Sequence, residues 1–115
     1  MAKYESKLKG DFDELLQKLD NGILSGSVSA HLEDSSDYSN GDIRCTVRVY
    51  ERYSMMGGSR VSMSITLIGC PQELFVSAIT SGGSQAVFFK INTLGEESFL
   101  RHAVDIVEAY KPIAR

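Results

Sequence analysis

Arg44, Arg48 and Arg52 recur at every fourth position of an alternating segment, so on a β-strand all three point the same way, about 13 Å apart. Tyr50 lies between them, Arg60 stands just before the next segment, and that segment supplies Ser62 and Ser64 on its polar face. Planar guanidinium forks suit carboxylate and phosphate, and hydroxyls add hydrogen bonds, so this set is a candidate anion- or partner-binding face. The plainer expectation is a solvated sheet face whose arginines pair with Glu5, Glu33 or Glu51, since exposed antiparallel faces are normally polar.

The remaining reactive residues point to no chemistry. Cys45 and Cys70 form no C-x-x-C pair and have no histidine at ligand spacing, which leaves zinc and redox motifs unsupported. Cys45 alternates with the apolar positions of its segment and reads as core, while Cys70 precedes a proline turn. His31 and His102 are the only histidines, and Asp34, Asp37 and Asp42 lack the spacing of a calcium loop. Thr80-Ser81-Gly82-Gly83-Ser84-Gln85 is rich in potential anion-binding N–H groups but joins two strand-like segments, so a hairpin turn is the expected reading. No cofactor is implied, and the expectation is a protein that is not an enzyme.

Charge is unevenly spread along the 115 residues: residues 1–42 carry a balance of −5, residues 43–60 one of +3, and the whole chain −3. A mildly acidic chain with one basic island does not match the strongly basic face that nucleic acid requires. With 43% hydrophobic and 23% charged residues the composition is that of a globular domain. No apolar run approaches the roughly 20 residues of a membrane span, and the first residues have no signal-peptide core. A cytoplasmic protein without membrane or nucleic-acid partners is expected, folded as a single domain over residues 1–115.

The elements that must hold these residues follow from periodicity. Lys3–Leu8 alternates as a short strand, and Asp11 with Glu14 marks a helix start. Phe12, Leu15, Leu16 and Leu19 have helical spacing, with Asn21-Gly22 as a cap and Ile23 and Leu24 as a broken second piece before Ser25-Gly26. Val28–Leu32 alternates as a strand, residues 34–42 form a polar loop turning at Asn40-Gly41, and Ile43–Arg52 is the clearest strand. Gly57-Gly58 predicts a hairpin into Val61–Leu67, Cys70-Pro71 a turn, and Gly82-Gly83 a second hairpin between Leu74–Thr80 and Gln85–Ile91. A last amphipathic helix begins near Thr93, carries Phe99 to Tyr110 and stops before Pro112. On the strand of Arg44, the apolar face of Ile43, Cys45, Val47 and Val49 is expected to meet the core.

The predicted order is β-α-β-β-β-β-β-α, an α+β fold with a mainly antiparallel sheet of about six strands and both helices on one face. Helix-grip folds and the saddle of the TATA-binding protein share much of that order. The 74–91 hairpin is apolar on both faces, so Phe75, Ile79, Val87, Phe88 and Phe89 need a cover beyond the helices. A symmetric second copy is favoured. The alternative is a small apolar ligand in a pocket lined by Phe75, Phe88, Phe89 and Phe99, the reading of a carrier or sensor.

The stretches Val-Arg-Val-Tyr-Glu-Arg-Tyr-Ser-Met (47–55), Phe-Val-Ser-Ala-Ile-Thr-Ser-Gly-Gly-Ser-Gln-Ala (75–86) and Phe-Phe-Lys-Ile-Asn-Thr (88–93) resemble a family of small bacterial proteins of unknown function. The resemblance extends over nearly the whole chain. It implies a bacterial cytoplasmic protein and carries no activity. The residues and the resemblance together lead to the expectation of a homodimeric interaction or regulatory module.

Overall fold

The computed structural model describes residues 1–53, 60–82 and 89–113, the side chains of 89–94 and 113 excepted. The elements are β1 (Ala2–Leu8), α1 (Phe12–Ser25), β2 (His31–Asn40), β3 (Ile43–Tyr53), β4 (Arg60–Cys70), β5 (Glu73–Gly82) and α2 (Phe89–Ile113). All strand pairings are antiparallel, in the order β1-β5-β4-β3-β2. The first strand thus closes one edge against the last, and β2 forms the other. The α+β class holds.

Asp11 caps α1 as its sequence predicts, accepting the Glu14 N–H at 2.9 Å. The other half of the cap is supplied by α2: the Tyr110 hydroxyl accepts the Asp11 N–H at 3.0 Å and donates to Glu14 Oε1 at 2.8 Å. One phenol therefore ties the end of α2 to the start of α1. Gly10, just before the cap, has φ +152°, and a Cβ there would stand 2.6 Å from the Tyr110 ring.

Both helices lie on one face of the sheet. Gly69 of β4, opposite Leu74 and Arg44, leaves room for the Phe12 ring of α1; a Cβ there would come within 2.8 Å of Phe12 Cδ2. On the same face Thr80 of β5 donates to the Glu96 carbonyl of α2 at 3.2 Å. Between the layers Leu15, Leu19, Ile23, Met63, Leu67, Val76, Phe99, Ala103 and Val107 have no exposed surface. Directly paired strand residues point to the same side, so Leu67 with Val76, and Ile65 with Ala78, extend one apolar row under the helices.

The structure corrects several expectations. Among the described residues there are five strands: residues 89–91 of the predicted sixth strand are helical, and α2 begins four residues before the predicted Thr93 and runs through Pro112. Residues 85–88 and the Gly57-Gly58 turn lie outside the described residues; Gly82 ends β5. The polar stretch 34–40 is an edge strand, and the segment predicted as strand at 28–30 is a turn. A strand with nothing on either face needs no apolar alternation, so periodicity could not show it. Asn21-Gly22 does not stop α1, which ends three residues later, because Ile23 is wholly buried and keeps the last turn packed.

The largest correction concerns β3. Arg48 pairs with Ile65 and Thr46 with Leu67, which turns the arginine row toward the helices and the Cys45, Val47 and Val49 row away from them. The predicted core face of β3 is the uncovered one. β4 carries Met63, Ile65 and Leu67 in one alternating row and is central in the sheet, so its apolar row meets the helices; the register then fixes β3.

We expect Gly10→Ala to destabilise the fold by about 2 kcal/mol, since it combines an unfavourable φ with a collision against Tyr110. Chemical denaturation measures it, and an unchanged midpoint would contradict this account of the α1–α2 junction.

Candidate functional site

The arginine row begins on α1. Asp13 and Asp20 lie two helical turns apart, about 10 Å, close to the roughly 13 Å between Arg44 and Arg48 on the strand. Arg44 meets Asp13 through two bonds of 3.0 Å and stacks over the Phe12 ring, 4.1 Å from its centroid. This bidentate pairing holds the Asp13 carboxyl below its ordinary range. Arg48 reaches Asp20 at 3.5 Å, and the wholly buried Tyr50 donates its hydroxyl to the same carboxylate oxygen at 2.8 Å. Burial, then the adjoining Asp20, pushes the Tyr50 phenol well above its usual value. Arginine suits this margin: its apolar stem packs on the sheet while its head reaches the polar flank of α1.

Arg52 continues the row to α2. Its guanidinium lies 4.7 Å from the Phe99 centroid and donates to Ser98 Oγ at 3.0 Å and to His102 Nε2 at 3.3 Å. Burial lowers the Arg52 pKa. Burial, and then the charge of Arg52, lowers that of His102, while Asp105 pulls it the other way. The imidazole here is a neutral acceptor for the arginine.

Arg60, Ser62 and Ser64 lie on the opposite face. Arg60 stands 2.5 Å from Glu51 Oε1 and 3.8 Å from Glu33, and Ser62 donates to Glu51 at 3.0 Å. His31 joins this cluster at 2.5 Å from Glu33 and contacts the Ser29 carbonyl oxygen through Nδ1 at 3.1 Å. The donor atoms of His31, Glu33 and Glu51 lie within 4.8 Å of one another, a spacing a metal ion can use. Arg60 already supplies the positive charge between the carboxylates.

The seven residues predicted as one face are therefore divided. Arg44, Arg48, Tyr50 and Arg52 lie beneath the helices; Arg60, Ser62 and Ser64 lie on the uncovered side. Of the predicted pairing partners, Glu51 and Glu33 do meet Arg60, whereas Glu5 binds Ser77 at 3.0 Å. The acids that meet the arginine row, Asp13 and Asp20, went unselected; their seven-residue spacing beside the buried stripe was the available signal.

Phe75 and Ile79 also lie on the uncovered face, alongside Ile68, Val47, Val49 and Cys45. Ile79 is 38% exposed, and at the β2 side Tyr38 and Ile43 are 64% and 47% exposed. Cys45 is thus a partly exposed residue of this face, not a core residue, and Cys70 is exposed. Phe99 belongs to the core between helices and sheet, on the side opposite Phe75, and the two cannot line one pocket. The side chains of Val87, Phe88 and Phe89 lie outside the described residues. The clefts are shallow and peripheral; one of about 180 Å³ lies between Phe12, Arg44, Asp37, Tyr38, Ser39 and Cys45. Among the described residues no helix is long and apolar enough to cross a membrane.

These features define a small α+β protein whose helices cover one face of an antiparallel sheet and whose other face, half apolar, is covered by no helix among the described residues. The chain belongs to a family of unknown function, DUF6054, whose model matches residues 1–111. No match is found among curated proteins or among solved structures.

Two measurements check the electrostatics. Asp20→Ala leaves Arg48, which bonds Asp20 through Nη1 and whose buried Nε has no partner among the described residues, and the Tyr50 hydroxyl without an acceptor, and we expect a loss of about 2 kcal/mol. Restoring the full stability by adding Arg48→Met would assign that loss to the stranded charge. His102 resists protonation when folded, so the unfolded chain binds the extra proton and its contribution to stability falls as the pH drops below 6.5. In urea titrations His102→Gln should flatten this decline; an unaltered pH profile would refute it.

Proposed function

We propose that this protein is a non-enzymatic, homodimeric interaction module of the bacterial cytoplasm, and that its working surface is the uncovered sheet face. The observation that carries the reading is the exposure of Ile79 on the same face as Phe75, Ile68, Val47 and Val49, on a sheet whose two helices both pack on the other side. A solvated antiparallel face is ordinarily polar; here apolar Phe75, Ile68, Cys45, Val47 and Val49 are interleaved with Ser64, Thr66 and Ser77 and rimmed by charge, the mixed composition of a protein interface. Five strands present a face about 20 Å wide and about 30 Å long, the scale of the roughly 800 Å² that each partner contributes to a standard interface.

The charged groups support association over reaction. Asp13, Asp20, Glu51 and His31 are each engaged by an arginine or a carboxylate, which uses them as structural ties. The arginine row, expected to face a partner, acts instead as the fastening of α1. The carrier reading draws no support from Phe99, which is packed between helix and sheet with no exposed surface.

Native mass across a dilution series tests the proposal. The wild-type chain should dimerise, and Phe75→Glu should weaken the dimer about a hundredfold, as loss of a central aromatic contact does. Arg44→Ala, on the opposite side, should leave the dimer intact. A chain that stays monomeric at high micromolar concentration would overturn the reading.

A further inference from the structure

We infer that the partner on the bare face is a second copy related by a two-fold axis running along β4, so that β1 of each chain lies over β2 of the other. The inference rests on the association reading above and specifies its geometry. The strand registers lay the bare face out in rows. Lys3 of β1 is level with Ile79, Ser64, Val49 and, on β2, Asp34. Two residues along, Glu5 is level with Ser77, Thr66, Val47 and Ser36; two further, Lys7 is level with Phe75, Ile68, Cys45 and Tyr38.

β4 is the middle strand of five. A two-fold along it exchanges the two sides of the sheet and keeps every row opposite itself. Lys3 then faces Asp34 of the partner subunit, and Lys7 faces Tyr38 of the partner subunit, a carboxylate and an aromatic ring that each suit a lysine. Ile79 meets the partner's Val49, and Phe75 meets the partner's Cys45. On the axis Ser64, Thr66 and Ile68 meet their own copies, and these β4 hydroxyls and one isoleucine carry no charge to repel. The β-bulge between Leu32 and Asp34 sets both Glu33 and Asp34 toward this face, concentrating negative charge on the β2 edge.

The other two-fold that keeps the strands aligned runs across them. It would lay β1 over β1, bringing Lys3 against Lys7 of the partner subunit, like charges opposed twice along the β1 edge. Charge thus selects the axis along β4. Packed sheets cross at about 30° and lie about 10 Å apart; the length of a lysine side chain spans the resulting offset at the edges.

Cross-linking and charge reversal test this arrangement on the full-length chain with Cys45→Ser and Cys70→Ser in the background, each variant first checked for native circular dichroism. With a bismaleimide about 10 Å long, matched to the sheet spacing, Ser64→Cys should link to itself. An equimolar mixture of Lys3→Cys and Asp34→Cys chains should link to each other. Lys3→Glu should weaken the dimer about tenfold through its two symmetric contacts, and Asp34→Lys in the same chain should restore it. A dimer that persists without the Ser64→Cys link, or whose affinity ignores the charge reversal, would overturn the two-fold while leaving the association reading standing. A chain that forms no dimer would overturn both.

Discussion

The register between β3 and β4, with Arg48 opposite Ile65, is the constraint on which the rest of the molecule depends. It puts three arginines on the side of the sheet that holds the core. Unpaired charge at that margin would be costly, so the neighbouring helix must answer it, and Asp13 and Asp20 of α1 do. The same register turns Val47 and Val49 outward. Fastening of α1 and exposure of an apolar strip are two consequences of one pairing.

Coverage follows from width. Each helix is about 10 Å across and strands are spaced by about 4.8 Å, so two helices side by side cover about four of the strands. They are centred on β1, β5 and β4, where the apolar row lies. β2 has no helix above it, and its alternation is correspondingly lost, with nearly every residue exposed. Tyr110 holds the two helices in register by completing the α1 cap from α2, which couples the chain's first helix to its last. Burial of α2 against β5 and β1 then ties that edge of the sheet to both helices.

The proposed function follows this asymmetry. The residues with the most recognisable chemistry, the arginines of β3, hold the helices against the sheet, and the proposed association uses the less conspicuous serines, valines and Phe75 of the other face. The DUF6054 family carries no assigned activity, and the proposed association rests on the exposed apolar residues of this face alone.

Local properties were legible in the chain itself. The Asp11 cap, the α1 stripe, the Asn40-Gly41 and Cys70-Pro71 turns, strands β1, β3, β4 and β5, and the amphipathic α2 all follow from neighbours within a few residues. So did the existence of two distinct faces on β3. Which of those faces meets the helices was not legible, because alternation is symmetric and the choice is made by a hydrogen-bonded neighbour twenty residues away. Nor was the edge strand β2, whose conformation comes from pairing with β3 and not from its own polar residues, nor the helical start of α2, where residues 89–91, read as the end of a strand, are helical instead. The sequence alone determined the kinds of surface this protein carries; pairing across the sheet decided which of them is buried beneath the helices and which is left bare.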